Sequence, residues 1–307
     1  MSDVVDRLKG SMPALVTPLT PGLKADREGI GRLVEYTLRG GVDGMVVLGS
    51  SGEFQGIPWG ERRAVITAVV EAVDGKVPVI VGAGLPNLQA TIKQIAEAAD
   101  CGADASLVTP PYYFPIGQDA IVAWFENLVA NSSVPILYYH FPGMTKLSAE
   151  PGTVVRLRDS GVVGIKDSGG ATAYLQQVLY LLESDADFKV FVGGDTHYLS
   201  ALVHGADGTI GLQPNVIPHI DAGIYDAFQR RDLETAAELQ REAADFLNAL
   251  GPSGGQGQPY AKAILEKLGI CGRTVAPPMR ALGDREADAL WERVERYVFK
   301  PAAVAQV

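Results

Sequence analysis

Lys166 is the residue of this sequence best suited to covalent chemistry, because it closes the apolar run 162–165. An apolar setting disfavours the charged form of an amine and leaves its nitrogen nucleophilic. Such an amine can attack a 2-oxo acid to form a Schiff base, and the protonated imine then acts as an electron sink. An ion pair with Asp167 is the structural alternative. The lysines less suited to this chemistry lie in predicted loops, on polar helix faces or at a strand start: Lys24, Lys76, Lys93, Lys189 and Lys267.

A phenol and a hydroxyl could move protons around that amine. Tyr139 ends the apolar run 134–139, and Ser51 lies in the glycine-flanked turn 49–54. The phenol could shuttle protons while the imine forms and a C–C bond breaks, with Ser51 as a relay. The alternative is that Tyr138 and Tyr139 only fill the top layer of the fold.

No metal ion and no cofactor are expected. Gly82 and Gly84 follow a predicted strand, but Asn87 stands where a dinucleotide fingerprint needs its third glycine. His140 and His197 lie near predicted strand ends and could touch a substrate. No two histidines show the spacing of a metal site, and the sequence contains four: His140, His197, His204 and His219.

Short strands that recur along the chain must position these candidate residues. Eight apolar runs recur along the chain without polar alternation, as expected of parallel strands buried on both faces. The runs cover residues 13–17, 44–48, 77–81, 105–109, 134–139, 162–166, 189–192 and 208–212.

A stretch with apolar residues at helical spacing follows each run. Several of these stretches end in glycine, which tolerates the left-handed backbone that closes a helix. The alternation predicts an α/β fold, a (β/α)₈ or TIM barrel, with a doubly wound open sheet as the competing arrangement. The stretches cover residues 27–39, 58–73, 88–100, 118–131, 151–159, 171–183, 197–203 and 218–229, and the glycine stops are Gly40, Gly41, Gly102, Gly161 and Gly205.

The C-terminal part of the chain is longer than one further strand–helix unit needs. Predicted helices cover residues 233–250, 260–268 and 285–298, and the glycine-rich segment 251–257 separates the first two. We expect a catalytic barrel over residues 1–230, with C-terminal helices over residues 231–307 packed on it as a single structural unit.

The composition excludes several classes of protein. The 307 residues contain 26 Lys plus Arg against 36 Asp plus Glu, and the net charge of −10 argues against nucleic acid as a partner. With 47% hydrophobic and 20% charged residues, the chain has the composition of a globular protein rather than a disordered one. Its 2 cysteines cannot form a disulfide framework, and its first residues are acidic where a signal peptide needs basic ones. No apolar run approaches the length of a membrane span, so we expect a cytoplasmic protein without a membrane partner.

Five motifs at the predicted strand ends resemble the dihydrodipicolinate synthase and N-acetylneuraminate lyase superfamily of Schiff-base lyases. The resemblance extends over nearly the whole chain. It implies a (β/α)₈ barrel with C-terminal helices, commonly assembled as a homotetramer of two tight dimers, whose partners are pyruvate and an aldehyde. The motifs are Gly-Ser-Ser-Gly-Glu at 49–53, Thr-Pro-Pro-Tyr-Tyr at 109–113, Tyr-His-Phe-Pro at 139–142, Gly-Ile-Lys-Asp-Ser at 164–168 and Gly-Ala-Asp-Gly-Thr-Ile at 205–210.

The resemblance also implies roles for single residues. Lys166 matches the imine-forming lysine, and Tyr139 matches the general acid/base that contacts the substrate carboxylate. Ser51 falls at the hydroxyl of the proton relay, and Tyr113 matches a tyrosine that reaches into a neighbouring subunit's site. Ser50 and Ser51 would hold the carboxylate through hydroxyl and backbone N–H groups. The residues expected to line the substrate site are Ser50, Gly52, His140, Met144, Gly193 and Ile210.

Two positions depart from the better-known members of that superfamily. Met144 stands where dihydrodipicolinate synthases have an arginine that anchors the second substrate's carboxylate, and a thioether can neither pair bidentately nor donate a hydrogen bond. His140 stands where neuraminate lyases usually have an asparagine. The segments 53–54 and 166–170 look closer to 4-hydroxy-2-oxoglutarate and 2-keto-3-deoxy sugar acid aldolases, which release pyruvate and an aldehyde.

We therefore expect a carbon–carbon lyase, a pyruvate-dependent class I aldolase, acting on a 4-hydroxy-2-oxo acid or a 2-keto-3-deoxy sugar acid. One alternative is dihydrodipicolinate synthase, which condenses pyruvate with aspartate semialdehyde. Another is a 2-keto-3-deoxy acid dehydratase, since the same imine acidifies the C3 proton. A barrel that binds a 2-oxo acid as a regulator without turnover is a hypothesis of a different class. The joint presence of four residues argues against it: Lys166, Tyr139, Ser51 and Tyr113.

Overall fold

The computed structural model describes residues 2–182, 185, 187–251 and 257–299. Within these residues eight parallel strands form one sheet. Nearly all strand residues are buried, as expected where helices cover one face and the other face lines a barrel interior. The strands are β1 (Gly10–Pro13), β2 (Met45–Val47), β3 (Val79–Ala83), β4 (Ala105–Val108), β5 (Ile136–His140), β6 (Gly164–Asp167), β7 (Lys189–Val192) and β8 (Gly208–Gly211).

The sheet closes on itself. Its spatial order is β1-β8-β7-β6-β5-β4-β3-β2, so the first strand pairs with the last, Gly10 opposite Gly208. On its other side β1 continues into a bridge between Ala14 and Val46, and the N–H of Leu15 donates to the carbonyl of Val46 at 2.8 Å. The predicted (β/α)₈ barrel is thereby confirmed, and the open-sheet alternative is wrong.

Helices follow the strands in the order that the periodicity predicts. The predicted stretches 27–39, 88–100, 151–159, 218–229 and 233–250 match helices of the structure residue for residue, whereas residue 183 of a sixth lies outside the described residues. The helices are α1 (Ser2–Asp6), α2 (Arg27–Arg39), α3 (Trp59–Val73), α4 (Leu88–Asp100), α5 (Gln118–Ala130), α6 (Pro142–Thr145), α7 (Pro151–Asp159), α8 (Thr172–Leu181), α9 (Tyr198–Val203), α10 (Pro218–Gln229), α11 (Leu233–Leu250), α12 (Gln258–Lys267) and α13 (Asp284–Val294).

Four of the five predicted glycine stops are found in the left-handed conformation that their role requires. Gly41, Gly102, Gly161 and Gly205 have φ angles of 87°, 93°, 93° and 102°. Each follows a helix and turns the chain toward the next strand, at little cost because glycine has no Cβ atom. Among the paired glycines after α2, it is Gly41 and not Gly40 that has the positive φ.

The first strand begins and ends earlier in the chain than the apolar pattern predicts. The run 13–17 is apolar and buried, but regular pairing covers Gly10–Pro13 and ends there. Beyond the strand, the N–H of Val16 donates to the side-chain oxygen of Asn215 at 3.0 Å, and Asn215 also donates to the carbonyl of Ala14 at 2.9 Å. A buried amide side chain is thus the partner of the Val16 N–H and the Ala14 carbonyl, beyond the last residue of the regular strand.

The C-terminal helices lie against the barrel. α11 packs on α10 and α13, and α12 packs on α13. The guanidinium of Arg32 on α2 donates to the carbonyl of Ile270 beyond α12 at 2.8 Å.

The division of the chain into a barrel and C-terminal helices between residues 230 and 231 stays a prediction, and residues 252–256 of the glycine-rich segment lie outside the described residues. Of the helices within the described residues, none combines the length and the hydropathy needed to cross a membrane.

Asp43 is a half-buried acid at the opposite end of the barrel from the carboxyl ends of the strands. Its carboxylate accepts the N–H of Ser11 at 2.8 Å, and burial, with a smaller contribution from Asp226, raises the pKa of Asp43 to about 6. An acid whose pKa is higher in the folded than in the unfolded chain lowers the free energy of unfolding as pH rises between the two values.

Asp43→Asn keeps an acceptor for Ser11 and removes the charge. We therefore expect the variant to melt about 2 °C above the parent chain at pH 7.5 and by a smaller margin at pH 4.5, where the carboxyl group of the folded parent chain is mostly protonated. Thermal melts at the two pH values measure the difference. Equal destabilisation at both would show that the carboxylate is not held in an unfavourable state.

Candidate active site

Lys166 lies in the barrel interior near the carboxyl end of β6. It is the third residue of the strand and is paired in register with Tyr139 on β5 and Phe191 on β7. Its side chain is 5% exposed, among inward-facing apolar residues that include Leu137 and Ile210. The Nζ atom lies 4.5 Å from the centroid of the Tyr139 ring, within the range of a cation–π contact. The amine and the phenol ring predicted from the sequence are therefore neighbours.

Asp167 faces the other way. Successive side chains of a strand alternate between the two faces, so Asp167 lies between the sheet and the helices. There its Oδ1 accepts the Nδ1–H of His140 at 2.7 Å and the N–H of Gly169 at 2.8 Å. The Nε2 atom of His140 lies 3.0 Å from the hydroxyl of Ser148. The partner of Asp167 is thus His140, and the alternative in which it pairs with Lys166 is wrong.

His140 therefore occupies the outer face of β5. Its ring stacks on Tyr174 of α8, with centroids 4.4 Å apart, and the side chain is 2% exposed. The prediction that His140 contacts substrate stays a prediction. In the structure its contacts hold β5, β6 and α8 together behind the Lys166–Tyr139 pair.

The turn after β2 is built from strained backbone. Leu48 and Glu53 have φ angles of 54° and 60°, a left-handed conformation that costs about 1 kcal/mol or more for residues other than glycine. Between them lie Ser50, Ser51 and Gly52, whose hydroxyl and N–H groups are those expected to bind a carboxylate. The Thr17 hydroxyl donates to the carbonyl of Gly52 at 2.7 Å and fixes the turn from the side of β1.

Gly82 on β3 makes room for this turn. A Cβ atom at this position would lie 2.4 Å from the carbonyl oxygen of Leu48 and 3.0 Å from the nitrogen of Gly49. The pair Gly82 and Gly84, which suggested a weak nucleotide motif, therefore has a structural reason. Gly84 has a φ of 146°, and a Cβ atom there would meet the Thr109 hydroxyl.

The wall beside Lys166 is formed by two further strand ends. Gly193 follows β7, and its N–H donates to the carbonyl of Asp167 at 2.6 Å. A Cβ atom on Gly193 would lie 2.0 Å from the Ser168 hydroxyl and 3.1 Å from Cε of Lys166. Ile210 on β8 is fully buried in the same interior cluster. Gly193 thus lies beside the Lys166 side chain and Ile210 in the interior cluster, and their role in lining a substrate site stays a prediction.

Two of the predicted site residues have largely exposed side chains. Tyr113 lies after β4, is 85% exposed and has a φ of 92°. Met144 on α6 is 66% exposed, but it shares a cavity of about 250 Å³ with Ser50, Gln258 and Met279. Within the described residues, no group of three or more histidine, cysteine, aspartate or glutamate side chains could hold a metal ion.

The contact between Lys262 and Glu53 is not predicted from the sequence pattern. Lys262 on α12 is fully buried, and its Nζ lies 2.5 Å from Oε1 of Glu53 at the end of the turn. Burial lowers the pKa of Lys262, and the Glu53 carboxylate opposes that effect. A signal is nevertheless present in the sequence, because Lys262 stands alone among the apolar residues of Pro-Tyr-Ala-Lys-Ala-Ile-Leu.

The sequence model of the dihydrodipicolinate synthetase family matches residues 7–296. The chain belongs to this family. Its relatives include 4-hydroxy-tetrahydrodipicolinate synthase 1 of Streptomyces coelicolor, 34% identical over 280 residues, which are 91% of this chain and 90% of that protein.

Other relatives within the dihydrodipicolinate synthetase family have different names. The putative 2-dehydro-3-deoxy-D-gluconate aldolase YagE of Escherichia coli is 30% identical over 90% of this chain and 92% of its own length. The crystal structure of YagE in complex with pyruvate has a TM-score of 0.89 to this chain, at 27% identity, covering 94% of this chain and 98% of YagE. Membership of this family makes the protein an enzyme, a carbon–carbon lyase.

Gly82→Ala tests how tightly the turn is packed against β3. The added methyl group collides with backbone atoms of Leu48 and Gly49, so we expect the free energy of unfolding to fall by about 1–3 kcal/mol. Gly60→Ala is the matched control, because a Cβ atom at Gly60 in α3 meets nothing within 4 Å. Denaturant unfolding of both variants measures the effect. Equal stability of the two variants would contradict the close packing.

Proposed function

We propose that this chain is a class I, imine-forming aldolase that cleaves or forms a 4-hydroxy-2-oxo acid or a 2-keto-3-deoxy sugar acid, with pyruvate as product or donor. The observation that carries the proposal is the position of Lys166, an amine in an apolar barrel interior with the ring of Tyr139 4.5 Å away. In this fold the carboxyl ends of the strands are where reacting residues lie.

The reaction would begin when Nζ of Lys166 attacks C2 of the 2-oxo acid and water leaves, forming an iminium ion. Tyr139 takes the proton of the 4-hydroxyl group while the C3–C4 bond breaks and C4 becomes the carbonyl carbon of an aldehyde. The electron pair of that bond passes into the iminium and gives an enamine. Protonation at C3 and addition of water then release pyruvate and the free amine.

The substrate carboxylate would bind at the turn after β2, through the hydroxyls of Ser50 and Ser51 and backbone N–H groups that include that of Gly52. Such preorganised donors are effective in a site from which water is largely excluded. Gly193 leaves space beside Lys166 for the reacting carbons, and Ile210 forms the apolar wall. No cofactor takes part in these steps.

The part of the site that would bind the aldehyde decides between two classes of substrate, neutral or hydroxylated aldehydes and aspartate semialdehyde. Met144, on the cavity that it shares with Ser50, offers no partner for a second carboxylate and favours a neutral or hydroxylated aldehyde. The name of the Streptomyces coelicolor relative favours the alternative, dihydrodipicolinate synthase, which uses aspartate semialdehyde. A 2-keto-3-deoxy acid dehydratase would share the iminium and differ in expelling a hydroxyl group instead of an aldehyde.

We further propose that the enzyme works as a homotetramer in the cytoplasm. Tyr113, almost fully exposed on the loop after β4, is available to contribute its phenol to the site of a second copy. Both cysteines are free thiols, Cys271 buried and Cys101 partly so, as is usual in a reducing compartment.

Borohydride reduction in the presence of pyruvate tests the imine. We expect a pyruvate-sized adduct on the intact protein, mapped to Lys166 by peptide mass spectrometry, and no adduct in Lys166→Met. Lys189→Met is the matched control, since Lys189 begins β7 at the other end of the barrel and pairs with Asp207 at 3.5 Å. It should trap pyruvate as the parent chain does. An unlabelled Lys166 in the parent chain would refute the imine mechanism.

An acceptor screen tests the substrate class. Enzyme and pyruvate are incubated with neutral hydroxyaldehydes and with aspartate semialdehyde, and product is measured by mass spectrometry. Without a bidentate cation for the second carboxylate, aspartate semialdehyde should react at least about tenfold more slowly. Met144→Arg should reduce the difference in rate between aspartate semialdehyde and the neutral hydroxyaldehydes. Efficient use of aspartate semialdehyde by the parent chain would instead identify a dihydrodipicolinate synthase.

A further inference from the structure

We infer that α12 positions the carboxylate-binding turn, through the buried ion pair of Glu53 and Lys262 and a hydrogen bond from Gln258. These would be positioning residues of the active site, although α12 belongs to the C-terminal helices and touches no reacting group. The inference rests on the proposed function, in which Ser50, Ser51 and Gly52 bind the substrate carboxylate.

The ion pair is closed to water. Both side chains are 0% exposed, and Nζ of Lys262 lies 2.5 Å from Oε1 of Glu53. Oε2 of Glu53 accepts the N–H of Ala276 at 2.6 Å, and Nζ of Lys262 donates to the carbonyl of Thr274 at 2.6 Å. A buried pair with such additional hydrogen bonds holds its partners in one geometry, because any displacement exposes a charge to an apolar surrounding.

The segment held in this way is the one that needs an external restraint. Glu53 itself has a left-handed backbone, as does Leu48 at the other end of the turn. Gly52 is packed so closely that a Cβ atom would lie 3.0 Å from the carbonyl oxygen of Leu15. Within the turn, one backbone hydrogen bond joins Glu53 to Ser50, N to O, at 3.1 Å. The contacts with α12 supply the rest.

A second contact reaches the turn from the same helix. The side-chain Nε2 of Gln258 donates to the carbonyl of Ser50 at 3.1 Å. Gln258 and Lys262 are four residues apart, so they lie on one face of α12. Side chains on that face contact the segment 50–53 at both of its ends, at the carbonyl of Ser50 and at the carboxylate of Glu53. Both contacts are thus made to groups that flank Ser51 and Gly52 in the chain.

The stability of the fold does not by itself explain a charged pair at this place. Apolar residues of similar volume often replace a buried ion pair with no loss of stability, whereas removal of one partner leaves an uncompensated charge. The pair adds directional contacts that fix where Glu53 lies. A positioning role therefore predicts that substrate binding and stability respond differently when the pair is replaced.

The test uses the full chain and four variants. Lys262→Met and the double variant Glu53→Gln/Lys262→Met alter the pair, and Gln258→Ala removes the second contact on a residue only half-buried. Lys189→Met is the control, again a lysine from an ion pair at the far end of the barrel. Borohydride trapping over a range of pyruvate concentrations gives the half-saturating concentration and the maximal adduct on Lys166. Melting temperatures and hydrogen exchange of the peptide covering residues 49–57 complete the set.

We expect the half-saturating pyruvate concentration to rise about tenfold in Lys262→Met and about fivefold in Gln258→Ala, with the maximal adduct unchanged. The double variant should recover most of the melting temperature lost by Lys262→Met and still need the higher pyruvate concentration. In the three variants near the turn, residues 49–57 should exchange faster than in the parent chain, and in Lys189→Met at the parental rate.

Two results would overturn the inference. One is a half-saturating concentration in the double variant that recovers together with the melting temperature, which is the behaviour of a purely structural pair. The other is a parental rate of hydrogen exchange of residues 49–57 in both Gln258→Ala and the double variant. This measurement can be made even if Lys262→Met fails to fold. Absence of any adduct in the parent chain contradicts the proposed function alone, since hydrogen exchange needs no substrate and still decides the positioning role.

Discussion

The two-residue alternation of side chains along a buried strand decides how the groups of this site are arranged. β5 and β6 are paired in register, Tyr139 opposite Lys166 and His140 opposite Asp167. The inward pair places an amine against a phenol ring, and the outward pair joins an imidazole to a carboxylate at 2.7 Å. A slip of one residue would exchange the faces and bring the carboxylate into the barrel interior. The hydrogen bond between His140 and Asp167 behind the sheet and the apolar cluster within the barrel both oppose that slip.

Much of the fold and part of the site follow from local pattern. The period of strand and helix predicts the barrel, and five helices have the bounds that the apolar spacing predicts. Lys166 stands out because a lysine is rarely buried at the end of an apolar run unless its amine is paired or reactive. Tyr139 then follows from strand adjacency, since consecutive strands of a barrel are neighbours. All these inferences need only sequence neighbours and a regular repeat.

The features that local pattern does not predict depend on contacts between distant parts of the chain. β1 ends early because the side chain of Asn215 takes over its hydrogen bonding, 199 residues from Val16. The position of His140 at a strand end suggests the barrel mouth, but the alternation along the strand turns its ring outward. Lys262 is buried because α12 packs across the turn after β2, and no local pattern of α12 names Glu53 as its partner. Ion pairs between residues that are distant in the chain follow no periodic pattern, so they cannot be recognised in a single sequence.

The ion pair between the turn and α12 also gives the chain an order of events during its synthesis. Glu53 leaves the ribosome long before its hydrogen-bond donor Ala276, which is 223 residues further along. Until α12 arrives, burying the Glu53 carboxylate would leave a charge unpaired, at a cost of several kcal/mol. The nascent barrel can close its strands in the meantime, because their pairing does not involve this carboxylate. The turn after β2 thus acquires its contacts with α12 only after most of the chain has been made, whereas Lys166 and Tyr139 belong to strands that precede α12.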